Sequence, residues 1–252
     1  MIEHEIEVAT AAGRVETFVC CPERGGPYPV VFFFMDAPGI REELRDMVRR
    51  LASVGYYVCL PNLYYRWNVK ELGPFAGEAN APVRQKMMGL MEKLSISMVM
   101  DDLDSLIEHV RSDRAASEGP YGCVGYCMSG QFAVHAAARH PDRIAAAASV
   151  YGTRLVTEKN DSPHLVVERA HAELYFAWAE FDHYAPSELI EPLRAALEKD
   201  GIVAEVELYR GVEHGFAFPG RAAYNKDAAE RHWERLFALF DRTLRPTRPT
   251  SG

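Results

Sequence analysis

The 252-residue sequence predicts an α/β fold with a mostly parallel central sheet and helices on both faces. Three features predict it. From residue 30 onward, short apolar runs alternate with stretches of helical periodicity, the order that builds parallel strand-helix-strand units. Val30 to Met35 is apolar without a break, as a strand covered on both faces should be. Gly122 to Gly130 reads Gly-Cys-Val-Gly-Tyr-Cys-Met-Ser-Gly, a short strand that turns sharply into an alanine-rich helical stretch.

Taken in order, residues 2–9 and 14–20 alternate as two strands about an Ala12-Gly13 turn. Pro22 to Pro29 is a loop, and the strand at 30–35 ends in Asp36-Ala37-Pro38-Gly39. Open α/β sheets place their ligands at such strand ends. An amphipathic helix over 40–54 closes at Gly55, and the strand Tyr56 to Leu60 stops at Pro61-Asn62. Residues 62–82 are the longest irregular stretch, a length often given to lids and binding loops. Helical periodicity returns over 83–91 and 97–110. After the turn at Cys127 come a strand at 144–151, a polar loop-like region at 152–170 and a strand at 174–179. A helix at 187–200, a strand at 203–209, the loop Gly211 to Phe216 and a helix near 222–243 complete the order. Without repeats or a linker, residues 1–244 read as one domain, and 245–252 as an unstructured tail.

Composition narrows the function. Apolar residues are 48% and charged residues 25%, an ordinary globular balance. A net charge of −8 without basic runs argues against nucleic acid as a partner. The acidic start, Met1-Ile2-Glu3-His4-Glu5, lacks a signal-peptide layout, and no apolar run reaches bilayer length. The expectation is a soluble cytoplasmic protein with no membrane partner. Five cysteines (Cys20, Cys21, Cys59, Cys123 and Cys127) show no C-x-x-C spacing and no disulfide framework. No H-E-x-x-H or other metal spacing and no glycine-rich phosphate loop occurs, so neither a metal nor a cofactor is expected. His135 and His140 suit surface or cap roles.

The chemistry centres on Cys127. Glycine on the strand side permits a tight bend that thrusts the central side chain clear of the sheet, the geometry of a nucleophile elbow. The helix N-terminus beside it offers free N–H groups and a positive dipole end. Cys is also a common core residue, so the motif alone leaves a buried thiol open. Ser129 is a rival nucleophile two residues on, where capping or packing explains it better. Context strengthens Cys127. The α/β-hydrolase fold orders its groups as nucleophile, acid and His on loops after strands, and Cys127, Asp182 and His214 occur in that order. His214 then exchanges the proton, and Asp182 orients and charges the imidazole. The N–H groups of Met128 and Ala37 form the oxyanion hole.

These residues make the chain resemble the dienelactone hydrolase family over about residues 10–240. Gly125-Tyr126-Cys127 is similar to its elbow, Gly55-Tyr56 to its strand start, and Pro61, Leu63, Tyr64 and Arg66 to its Pro-x-Leu-Tyr-x-Arg segment. Asp182-His183 with Pro186, and His214 with Phe216, match its remaining motifs. The resemblance implies a Cys-Asp-His triad that opens an enol-lactone through an acyl-thioester with water alone. The family's thiol-contacting glutamate is replaced by Asp36, which either modulates the thiol or simply forms the turn. Its carboxylate-binding arginine four residues after the His is replaced by Phe218. Arg84 stands nearest the other such arginine, with an exposed helix position as its competing reading. The substrate expected is a small-molecule ester or lactone, larger or more apolar than the anionic dienelactone. Tyr64, Tyr65, Trp67, Phe75 and Trp178 either line its pocket or fill the core. Two rival functions are a non-catalytic binder of a small hydrophobic ligand and a redox protein using Cys123 and Cys127.

Overall fold

Strands that read as unbroken apolar runs do so because helices cover both of their faces. The structure, a computed structural model, describes residues 1–73 and 81–245. β1 (Ile2–Thr10) and β2 (Gly13–Cys21) form the N-terminal hairpin. β3 (Val30–Phe34), β4 (Tyr57–Pro61) and β5 (Tyr121–Tyr126) are buried at every position. β6 (Ile144–Val150), β7 (Glu173–Phe181) and β8 (Ala204–Glu213) complete one eight-stranded sheet in the order β1-β2-β4-β3-β5-β6-β7-β8. β1, β2 and β4 pair antiparallel, and every pairing from β4 across to β8 is parallel. β1 is an edge strand that carries Glu3, Glu5 and Glu7, and such charges discourage further pairing.

Two helical layers follow from strand alternation, because neighbouring residues of β5 face opposite ways. On the Gly122 side, a Cβ would collide with Phe240 and Leu244 of α7 (Lys226–Leu244). On the Cys123 side, the thiol reaches the Ala133 carbonyl of α4 (Gly130–Arg139). α1 (Glu42–Ser53) joins α7 through an Arg50–Glu230 ion pair and the Trp233 ring. α3 (Ile96–Val110) joins α4 through Arg139 and Asp104. α2 (Ala81–Lys93) precedes α3, and α5 (Pro163–Val166) and α6 (Ile190–Lys199) lie toward the β8 side. None of the helices among the described residues is long and apolar enough to cross a membrane.

The chain leaves β3 for β4 on one side and returns to β5 on the other. The C-terminal ends of β3 and β5 therefore flank a topological switch point, where the strand order opens a crevice. Asp36 and Ala37 follow β3, Cys127 follows β5, Asp182 follows β7 and His214 follows β8.

Three regions differ from the sequence reading. The stretch 152–170 is not all loop: Pro163 sits in the first turn of α5, where its missing N–H costs nothing, and residues 167–169 add a 3₁₀ turn. β8 runs on through Gly211, expected in a loop. A register shift between Ala179 and Phe181, with the Gly211 N–H donating to Glu180 Oε2 at 2.7 Å, carries the pairing on to Phe181 and Glu213. Within 62–82, Tyr65–Trp67 form a 3₁₀ turn and Glu71 bridges Gly39. Phe75 and tail residues 246–252 lie outside the described residues.

A Cβ at Gly125 would overlap the Ser129 carbonyl, a backbone atom that cannot yield without undoing the turn. Gly125→Ala is expected to destabilise the protein by about 3 kcal/mol or more. Gly89→Ala, on α2 with open space around it, should instead be neutral or stabilising by about 0.5–1 kcal/mol. Urea midpoints of the two variants test this, and equal midpoints would contradict the packing described.

Candidate active site

Cys127 is held in the left-handed region at φ 55°, a strained choice for a residue with a Cβ. The strain buys a reversal: β5 ends at Tyr126, residues 127–129 make one 3₁₀ turn, and α4 begins at Gly130. Gly125 lets the turn fold back onto its own strand. Gly130 lets it approach the end of β6, where a Cβ would collide with Ser149 and Gly152. The second close approach thus falls one residue after the position where the elbow pattern has its last glycine. Ser129 takes that earlier position, is wholly buried and donates to the Met35 carbonyl, so its hydroxyl ties the turn to the end of β3. It packs; it does not cap α4.

Asp182 and His214 meet across the ends of β7 and β8. His214 Nδ1 donates to Asp182 Oδ2 at 2.6 Å. Asp182 Oδ1 accepts from the N–H groups of Tyr184 at 2.9 Å and Ala185 at 3.1 Å, so both carboxylate oxygens are engaged. The Trp178 indole donates to the Ala185 carbonyl at 2.6 Å and braces the same loop. Edge-on contacts from Tyr151 (4.9 Å) and Tyr184 (5.0 Å) hold the imidazole. Its Nε2 is buried and without a hydrogen-bond partner among the described residues. Burial by itself would depress the ring's pKa; the Asp182 carboxylate and the neighbouring Cys127 sulfur outweigh it and raise it to about 9.

Asp36 lies beside this group in an arrangement that the sequence did not reveal. Its backbone carbonyl closes the turn to Gly39, as a turn former would, but its fully buried carboxylate binds two arginines. Arg41 donates to it at 2.6 and 3.2 Å, and Arg221 at 2.5 Å. Arg41 also holds Glu43, and although burial opposes its charge, the two carboxylates raise its pKa. Both guanidiniums stand 5.0 Å from the centre of the Phe218 ring. Positive charge absent at Phe218 itself is therefore delivered onto its faces from elsewhere in the chain. Arg41 and Arg221 were missed because no local spacing connects them with Asp36. Only the loop after β3 and the loop after His214, folded together, do so.

Tyr64 is buried between the two expected oxyanion-hole residues. Its hydroxyl donates to the Ala37 carbonyl at 3.0 Å and lies 3.2 Å from Met128 Sδ. Met128 is the second residue of its turn, where a backbone N–H has no acceptor within the helix. Arg66 is engaged elsewhere, with the buried Asp102 of α3 at 2.6 and 2.8 Å. Arg84 is exposed on α2. Tyr65 also bonds Asp102, Trp178 is core, and Tyr64 packs edge-on against Trp67. His135 is buried against the Asp161 carbonyl, contrary to the surface role expected of it. The five cysteines are all unpaired. Among the described residues no group of three or more His, Cys, Asp or Glu side chains converges as metal ligands would.

Folding favours the protonated form of His214. That stabilisation is complete below the ordinary value of 6.5 and is lost as pH rises through about 9. Asp182→Asn is expected to lower the ring's pKa by roughly one unit or more. An imidazole NMR titration measures this directly, and identical curves for the two proteins would remove Asp182 from the account.

The family model for the dienelactone hydrolase family matches residues 15–244. A protein of Escherichia coli K12 named as a candidate carboxymethylenebutenolidase is 30% identical over 223 residues, covering 85% of this chain and 77% of its own. A similarly named protein of Methylorubrum extorquens is 25% identical over 240 residues, covering 94% of this chain and 79% of its own. Among solved structures, a candidate dienelactone hydrolase of Klebsiella pneumoniae superposes with a TM-score of 0.83 at 24% identity, covering 96% of this chain and 98% of that one. The dienelactone hydrolase of Anabaena variabilis shares the fold at a TM-score of 0.69 and 16% identity, over 97% of this chain and 99% of that one. Matched over nearly its whole length, the chain belongs to the dienelactone hydrolase family and has its α/β-hydrolase fold.

Proposed function

We propose that this hydrolase cleaves a carboxylic ester or lactone, including enol-lactones, with Cys127 as nucleophile, His214 as proton carrier and Asp182 as its orienting carboxylate. The observation that carries the reading is His214 itself. One ring nitrogen is fixed 2.6 Å from a buried carboxylate, and the other faces the Cys127 sulfur on a left-handed elbow, with no other partner among the described residues.

The chemistry follows from these positions. The proton of the Cys127–His214 pair is held at Nε2, where Asp182 stabilises the imidazolium. The sulfur attacks the carbonyl carbon, and the developing oxyanion receives the N–H groups of Met128 and Ala37. The imidazolium then protonates the leaving oxygen, which in a lactone stays attached to the opened acyl chain. Water attacks the thioester carbon, neutral His214 takes its proton, and the C–S bond breaks to release the acid. A thiolate is a good leaving group, so activated esters and lactones suit it better than amides.

Two features support the substrate class. Arg221 is partly exposed beside the site but ion-paired with Asp36, and with Arg41 and Glu43 it forms a cluster of no net charge around Phe218, which favours neutral esters and lactones. Unpaired cysteines and a net charge of −8 support a cytoplasmic enzyme that acts on a small molecule and not on nucleic acid.

Release of chromophore from short aryl esters, followed with intact mass, tests the proposal. Cys127→Ala is expected to lose activity by about 10³-fold or more, and the wild type to carry an acyl adduct that maps to Cys127. Activity surviving the substitution would sink the nucleophile assignment, and saturable ligand binding without turnover would favour a binding protein. Tyr64→Phe should lower kcat about tenfold with little change in KM, because Ala37 and Met128 lose their shared brace. An unchanged kcat would show that the brace is dispensable.

A further inference from the structure

Tyr151, the first residue after β6, is a bulky aromatic held in left-handed backbone at φ 37°. It is 1% exposed, and its hydroxyl is buried without a hydrogen-bond partner among the described residues. Tyr57 places its hydroxyl on Asp113, Tyr64 on Ala37 and Tyr126 on His232, whereas Tyr121, far from the site, shares with Tyr151 a hydroxyl without a partner among the described residues. Neither feature of Tyr151 helps the fold, since strain and an unsatisfied polar atom both oppose it.

Its surroundings suggest a use. The ring packs 4.9 Å from the His214 imidazole, whose Nε2 is likewise buried and unpartnered. The segment is pinned on both sides: Tyr151 N–H donates to the Ala177 carbonyl of β7 at 2.7 Å, and Thr153 N–H donates to the Cys127 carbonyl of the elbow at 2.9 Å. Burial keeps the phenol protonated, with Arg221, Asp36 and Cys127 near enough for their charges to act on it. Once the Cys127 sulfur that faces Nε2 is acylated, both polar atoms on these touching rings lack a partner among the described residues, and a water molecule needs two or more polar partners to be held in a buried site.

We propose that Tyr151 is a further catalytic residue which, together with His214 Nε2, holds the water that hydrolyses the acyl-thioester. This rests on the cysteine-hydrolase reading above and concerns its second half. One water hydrogen is accepted by neutral Nε2 and the other by the Tyr151 hydroxyl oxygen, which leaves a lone pair for the thioester carbon. A C–O bond forms, the C–S bond breaks, and the proton taken by His214 returns to the departing sulfur. Acylation needs no water and hence no contribution from this hydroxyl.

The test is Tyr151→Phe, which keeps the ring and removes only the oxygen. With a p-nitrophenyl ester in stopped flow, the acylation burst should keep its wild-type rate, and the steady phase should slow about tenfold or more. Intact mass should show the acyl adduct accumulating on Cys127. Hydroxylamine, which attacks a thioester without a positioned water, should discharge both proteins equally fast. Tm should hold or rise, because an unsatisfied buried group is gone. An unchanged steady phase, a burst slowed as much as the steady phase, or a lower Tm with both phases intact would each overturn the role for Tyr151. If neither protein forms an adduct and Cys127→Ala is fully active, the hydrolase reading fails first and this one with it.

Discussion

At the turn after β5 two pairs of backbones come closer than any side chain allows, and the arrangement of the site depends on that contact. Gly125 admits the Ser129 carbonyl, and Gly130 admits Ser149 and Gly152 at the end of β6. These contacts hold Cys127 in an unfavourable conformation at a place where the sheet can oppose the strain. β5 lies in the middle of the sheet, paired on both sides and covered on both faces. The Ser129 hydroxyl adds a tie to Met35, so the turn is joined to β3 and β6 together. A loop could not hold the Cys127 sulfur so closely against groups from four different strand ends.

Around that rigid point, two buried carboxylates are treated in different ways. Asp182 spends one oxygen on backbone N–H groups and the other on His214, so its charge is directed into a single imidazole. Asp36 is clamped by Arg41 and Arg221 and has its charge neutralised where it stands. Removing one member of a buried pair generally costs about 3–5 kcal/mol because the other charge is left without a partner. The Asp36 cluster is therefore part of the fold as well as a neighbour of the thiol. It also joins the loop that follows His214 to the loop that follows β3, which fixes the distance between the two halves of the site.

Stability is given up at several points near Cys127. A left-handed cysteine, a left-handed tyrosine, and an imidazole nitrogen and a phenol without hydrogen-bond partners among the described residues all lie within one cluster. Single instances occur elsewhere, a left-handed Asn68 and an unpartnered Tyr121 hydroxyl among them, but the rest of the molecule is built mainly of long apolar strands, a charged edge strand and surface ion pairs that tie α1 to the N-terminal hairpin. Local conflict concentrated in one place is what a functional site looks like when fold and chemistry compete for the same residues.

The sequence by itself determined the layers and the order of the groups. Apolar runs at Val30 to Met35 and Tyr56 to Leu60, and the Gly-Tyr-Cys elbow, are local patterns whose period and turn chemistry leave few alternatives. Asp182 and His214 were legible because strand ends can be read from where apolar runs stop. Only the tertiary structure decided how charge is distributed around the thiol. Arg41 and Arg221 are 180 residues apart and meet at Asp36 because two loops converge, which no spacing records. Arg66 has the family's expected residue type but turns to Asp102, an acid on a helix that the same sequence places 36 positions away. Tyr151 reads as the last apolar residue of a strand, and its unpaired hydroxyl exists only once Cys127 and His214 are folded around it. Periodicity determines which residues are buried; which buried polar atoms find partners depends on contacts between distant segments.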